Sequence, residues 1–257
     1  MRRLVLVLFV VVLAGCGGGG ASDDRASSSA PPTGPSTEAS WQRSQTGWVY
    51  QGGEPPACPD PLEVPAPVDV HDATAILYPG QTRGEYKPHG GFRFDGHPNE
   101  VDVRAPLAGV VVRGTRYLVE GKLQSGIDMI TPCGIMVRLG HIAVLTPEVQ
   151  ARFEELPAPT DGDSRSHLFS PPIELAAGDL VATAVGLPGN TSLDFGVYDL
   201  RHPNAKSADA AWAATHDPEL AQHATCWLDL LPAAEQLVVK ALPPGDHASG
   251  KTSDFCT

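Results

Sequence analysis

The sequence has 257 residues, with 18 Lys and Arg against 30 Asp and Glu, a formal charge of −12 at pH 7 and a pI near 5.1. A chain this acidic is repelled by phosphate backbones, which argues against nucleic acid as a partner. Its length and its 42% of hydrophobic residues suffice for one sizeable core.

The chain opens MRRLVLVLFVVVLAGC, with two arginines, an apolar run from Leu4 to Ala14 and small residues up to Cys16. A basic start, a short apolar stretch and a small-residue cleavage site read as an export signal, and the run is too short to span a bilayer. LAGC resembles the lipobox of bacterial lipoproteins. That resemblance implies removal of residues 1–15, lipidation of Cys16 and attachment to an envelope membrane through the lipid alone. Removal takes Arg2 and Arg3 away, leaving 16 basic residues against 30 acidic ones, a charge of −14. Anionic wall polymers would also be repelled, so binding to a cell wall has to rest on a local pocket.

Residues 16–45 are mostly Gly, Ser, Ala and Pro, with little to bury, and read as a flexible tether. The folded part is expected to begin near Trp48, giving a domain over 46–201. Within it, VDVHDATAILY, HGGFRF, EVDVRAPLAGVVVRG, GIDMI, GIMVRLGHIAVL, DLVATAVG and SLDFGVYDL read as strands, with turns at PGQTRG and DGHPN. TPEVQARFEEL, 146–156, reads as a helix capped by Thr146 with Pro147 at its first position. Frequent short strands predict a small, mostly β, antiparallel sheet or sandwich. After Arg201, AKSADAAWAATHDPELAQHA and LLPAAEQLVVKAL predict a short helical extension over 202–257.

Besides Cys16 there are Cys58, Cys133, Cys226 and Cys256, an even number in an exported chain, which reads as two disulfides. Three connectivities are open. Cys226 with Cys256 is favoured because both follow the predicted sheet, which leaves Cys58 with Cys133. No C-x-x-C spacing suggests a metal held by sulfur.

The stretch PHGGFRFDG, 88–96, carries the chemical question. Read as a strand, it puts His89, Gly91, Arg93 and Asp95 on one face and Phe92 and Phe94 on the other. Taken in order, HGGFRF, VRAPLAGVVV, VRLGHIAVL, ELAAGDLVATAVG and SLDFGVYDL resemble the lysostaphin/LytM-type peptidase domain over roughly residues 76–201. That family cuts peptide cross-bridges of peptidoglycan with one zinc on a small antiparallel sheet. Its pattern is H-x-x-x-D, then a lone catalytic His, then H-x-H.

Laid on this sequence, the resemblance puts His89 at the first metal ligand and His141, in LGHIAV, at the lone catalytic histidine. Arg93 stands where the zinc-binding Asp belongs, Ser192 where the first His of H-x-H belongs, and Asp194 where its second, metal-binding His belongs. Zinc needs at least three good protein ligands, and a guanidinium cannot lose its charge. The expectation is therefore an Arg93–Asp194 ion pair in place of the metal, no cofactor, and a groove bordered by Tyr86, Arg93, His141 and Asp194. Arg83 and Lys87, in RGEYKPHGG, lie beside it. The competing expectation is a zinc endopeptidase with relocated ligands, His89, Asp95 or His97, and Asp194, with His141 as acid/base.

Other candidates carry less. His71 and His202 fit solvated or capping roles, and His167, His216, His223 and His247 have no ligand spacing. Ser192 lacks the elbow motif of a serine nucleophile. The hairpin LAAGDLVATAVG is also similar to biotin and lipoyl carriers, but no lysine sits at its tip. Such degenerate relatives, by the resemblance, bind peptidoglycan peptides or regulate wall hydrolases instead of cutting.

Overall fold

Thirteen strands and four short α-helices follow one another along the described part of the chain, which in this computed structural model comprises residues 40–44 and 47–257. The export signal, Cys16 and most of the tether lie outside the described residues. The first element is a hairpin of β1 (Ser40–Ser44) and β2 (Gly47–Gln51), so ordered structure starts within the stretch assigned to the tether. Then come β3 (Ala75–Leu77), a small separate hairpin of β4 (Gln81–Arg83) and β5 (Glu85–Lys87), β6 (Gly90–Arg93) and β7 (Val103–Arg104). The long strands β8 (Gly109–Val119), β9 (Lys122–Ile130) and β10 (Ile135–Leu145) precede helix α1 (Pro147–Phe153), and β11 (His167–Leu175), β12 (Leu180–Val185) and β13 (Ser192–Asp199) complete the strands.

Nine strands form one antiparallel sheet, in the order β11-β8-β9-β10-β13-β6-β3, with β12 joined to β10 and to β7. The fold is mostly β, as the strand pattern predicts. Several bounds differ from that pattern. VDVHDATAILY contributes only three strand residues, and QTR, expected as a turn, pairs with EYK across Gly84. Helix α1 stops at Phe153, where Val149 and Phe153 have both reached the core, and the Thr146 side chain makes no cap hydrogen bond.

Phe92, Leu193, Phe195, Val197, Val137 and Leu139 point to one face and form the main core. The region after Arg201 builds this core. Trp227, which opens α3 (Trp227–Leu230), is fully buried with its ring centroid 5.0 Å from that of Phe92 and 5.1 Å from that of Phe195. Val239 of α4 (Ala233–Ala241) is buried in the same core. Elsewhere the extension breaks into 3-10 turns and α2 (Ala210–Ala213), because Asn204 and Asp209 cap and stop successive turns. Two disulfides, Cys58–Cys133 and Cys226–Cys256, tie the segment before β3 and the C-terminal loop to this body, in the favoured connectivity. Among the described residues, no helix is long and apolar enough to cross a membrane.

The opposite face carries polar clusters. Asp128 lies across from Arg113 on β8 and from Arg138 on β10. It takes Arg138 in a two-pronged hydrogen bond at 2.6 and 2.8 Å and Arg113 at 2.8 Å. Glu219 joins Arg113 and Arg43, and Trp48 donates its indole N–H to the Glu219 carbonyl at 3.0 Å, so the β1–β2 hairpin covers this cluster.

Candidate functional site

Further along the same sheet face, Asp194 sits between two glycines. Its direct partners are Gly91 on β6 and Gly140 on β10. A Cβ at Gly140 would come within 3.1 Å of the Asp194 Cβ and 3.2 Å of its Oδ2, and one at Gly91 would strike the Leu193 carbonyl oxygen at 2.3 Å. Space beside the carboxylate is thus kept open, and two imidazoles from farther along the neighbouring strands enter it. His89 Nε2 lies 3.2 Å from Asp194 Oδ2, and His141 Nε2 lies 3.5 Å from the same oxygen.

His141 reaches the carboxylate through a bulge. Strand parity would send it into the core, but the β9–β10 register shifts between Leu139 and Ile142, and His141 adopts φ +60°. A bulge commonly re-aims one side chain at a site, and positive φ in a non-glycine residue is a strain that its surroundings have to hold. Here the His141 N–H donates to the Tyr117 hydroxyl at 2.8 Å, its carbonyl accepts from Gly186 at 2.6 Å, and its Nδ1 lies 2.6 Å from Gln124 Oε1.

Burial alone would push the Asp194 carboxyl up. The adjacent His89 and His141, with Arg83 at longer range, overcome this and hold it well below the usual carboxylate range, so Asp194 stays ionised. Among the described residues, His89 Nδ1 is buried without a hydrogen-bond partner, as is Gln124 Nε2. A cavity of about 250 Å³ opens over the cluster, with Arg83, Lys87, Arg93, Asn190 and Ser192 on its walls.

The expected Arg93–Asp194 ion pair does not form. Arg93 faces Ser192 across the strands and turns to Asp95, with Nε at 3.2 and 3.1 Å from its two oxygens and a terminal nitrogen at 2.6 Å from Oδ1, adding Asn190 Oδ1 at 3.3 Å. Asp95 lies two residues on, on the same side, and binds the guanidinium from two directions with part of its hydration kept. Asp194 would demand a diagonal reach into a space already filled by two imidazoles. Tyr86 does not line the cavity either. Its hydroxyl donates to Asp254 Oδ2 at 3.0 Å and its ring packs on His216 and Trp212, which seals the β4–β5 hairpin to the C-terminal region.

The relocated zinc set also fails to assemble. Asp95 is taken by Arg93, and His97 is exposed in a turn closed by its N–H to the Phe94 carbonyl at 3.0 Å. Of the zinc positions that the resemblance implies, His89 and Asp194 carry donors and Arg93 carries a fixed cation. Among the described residues, no group of three or more His, Cys, Asp or Glu is arranged to hold a metal ion. Such a donor set does not fit the family's zinc. Among the other histidines, His223 is buried on the carbonyls of Asp199 and His202, and His71 and His202 are exposed.

Sequence reasoning placed His89, His141, Ser192 and Asp194 in one region, and the structure brings all four to one cavity. It missed Gln124 and Tyr117, since a glutamine and a tyrosine in a strand hairpin carry no ligand spacing. The glycines in LGH and HGG were the available signal, because both flank the position of Asp194. No family model matches this chain, and a search of curated proteins gives no match.

Proposed function

We propose that the chain is a degenerate relative of the lysostaphin/LytM-type domain, carried on an exported, lipid-anchored protein of a bacterial envelope. In this reading the groove binds peptides of peptidoglycan, or engages a wall hydrolase, and does not cut. The observation that carries the reading is the state of the old ligand positions. Asp194 is engaged by two imidazoles, while Arg93, in place of the second anionic ligand, is held by Asp95. The order of strand motifs supports the kinship, and the LAGC segment supports the anchor.

The convergence of two imidazole nitrogens on one carboxylate oxygen favours a second reading, a zinc endopeptidase that recruits His141 as a ligand. Zinc content after equilibration with the metal separates the two. Less than a tenth of an equivalent of zinc, with no fragments released from peptidoglycan, is the expected result. About one zinc per chain, lost in His89→Ala and accompanied by hydrolysis, would replace the binding reading with the enzymatic one.

A further inference from the structure

The cavity over Asp194 has two poles of opposite chemistry. At one pole, His141 stands against Asp194, its Nδ1 2.6 Å from Gln124 Oε1 and its Nε2 turned to the carboxylate. The Asp194 carboxylate, its Oδ2 3.5 Å from His141 Nε2, is an acceptor that an N–H placed in the cavity satisfies. At the other pole stands Arg83. Among the described residues no carboxylate lies within ion-pair distance of it, and its guanidinium donates only to the Tyr78 and His89 carbonyls and to Gln81 Oε1. Lys87, beside it, is paired among the described residues only with the exposed Glu85. Gln124, 1% exposed, lines the same space, and its amide nitrogen has no hydrogen-bond partner among the described residues.

A ligand that matches both poles carries an anion and, close by, an N–H donor. A phosphate dianion does not suit a wall that contains ionised Asp194, and a metal cation does not suit one that contains Arg83, Lys87 and Arg93. A cavity near 250 Å³ is small against ligand sites of roughly 300–1,000 Å³, so it takes a residue or two and not a length of polymer.

We infer that the pocket receives the C-terminal residue of a peptide, with its α-carboxylate on Arg83 and Lys87 and its main-chain N–H on Asp194. This rests on the peptide-binding reading above and narrows it to chain ends, since a residue within a chain offers no charge to Arg83. A free amino acid shares the chemistry of an α-carboxylate beside an N–H, and the test separates the two.

The full chain, purified in detergent, is titrated calorimetrically with N-acetyl-dialanine of either chirality, with the same peptides as C-terminal amides, and with free alanine. Co-sedimentation with purified peptidoglycan is run in parallel. Expected are binding of an acetylated free acid, a loss of roughly tenfold or more on amidation, and a similar loss in Arg83→Gln or Lys87→Gln. The two glutamine variants are checked for an unchanged melting temperature, and the amidation arm needs no variant at all.

Equal binding of acid and amide would overturn the inference and leave the peptide-binding reading standing. So would sedimentation with peptidoglycan when no short peptide binds. Tighter binding of free alanine than of the acetylated acid would assign the pocket to an amino acid and overturn the chain-end assignment. Failure to bind either the peptides or peptidoglycan would defeat both statements together.

Discussion

Two aspartates on the same face of the sheet are each flanked by two basic side chains, and they have opposite fates. Asp128 is 3% exposed and locked between Arg113 and Arg138, whose charges never switch off, under a lid made by the β1–β2 hairpin and Glu219. Asp194 is 20% exposed, sits between His89 and His141, and opens to a cavity with unpartnered donors around it. The first cluster pairs its charges within the chain, although Arg113 Nε, shielded from solvent, has no acceptor among the described residues. The second leaves polar atoms unmet in a place that solvent and a ligand can reach. A cluster whose charges are paired and covered is structure, and one with unmet polar atoms at an opening is a candidate site.

The contrast breaks most sharply under deletion of each carboxylate. Asp128→Ala leaves the half-buried Arg138 without its anion and Arg113 with Glu219 alone, and a loss of about 3–5 kcal/mol in denaturant unfolding is expected. Asp194→Ala, with titratable neighbours and access to water, is expected to cost about 1 kcal/mol while removing ligand binding. Equal costs would erase the distinction between the two clusters.

Acid is the next test. Both carboxyls are held below their ordinary range, Asp128 by Arg138 and Arg113 against the opposing effect of burial, and Asp194 by its histidines against the same effect. A folded-state pKa below the unfolded value means that the stabilisation is complete above the unfolded value, near 4, and drains away as pH falls further. Melting temperatures are thus expected to hold from about pH 7 to 5 and to fall below about pH 4, with a shallower fall in Asp194→Asn. An equal fall in that variant would show that Asp194 contributes nothing to acid sensitivity.

Gly140→Ala sharpens the geometry of the open cluster. Its new Cβ would press on the Asp194 carboxylate at 3.2 Å, so a loss of about 1–3 kcal/mol is expected together with weaker ligand binding. The smallest effect belongs to Arg93→Ala. Its partner Asp95 is 51% exposed, and a change of at most about 1 kcal/mol is expected in thermal unfolding.

Much of this was legible in the sequence, and the misses have physical causes. Strand alternation in PHGGFRFDG separates His89, Gly91, Arg93 and Asp95 from Phe92 and Phe94, and both phenylalanines lie in the core. Pairing between side chains was harder. Arg93 has two acidic candidates, and only the pleat and the filled space around Asp194 decide for Asp95. The His141 bulge is invisible because register is a property of two strands, and LGHIAV alone does not reveal the shift opposite Ser125. Trp227 was read as part of an appendage because its burial depends on Phe92 and Phe195, far away in sequence.

The most direct test of the account is co-sedimentation of the purified protein with peptidoglycan, in zinc and in chelator, with the supernatant analysed for released fragments. The account predicts binding that is the same in both, that is lost in Asp194→Ala, and that releases no fragments. Binding or cleavage that appears only with zinc would contradict it.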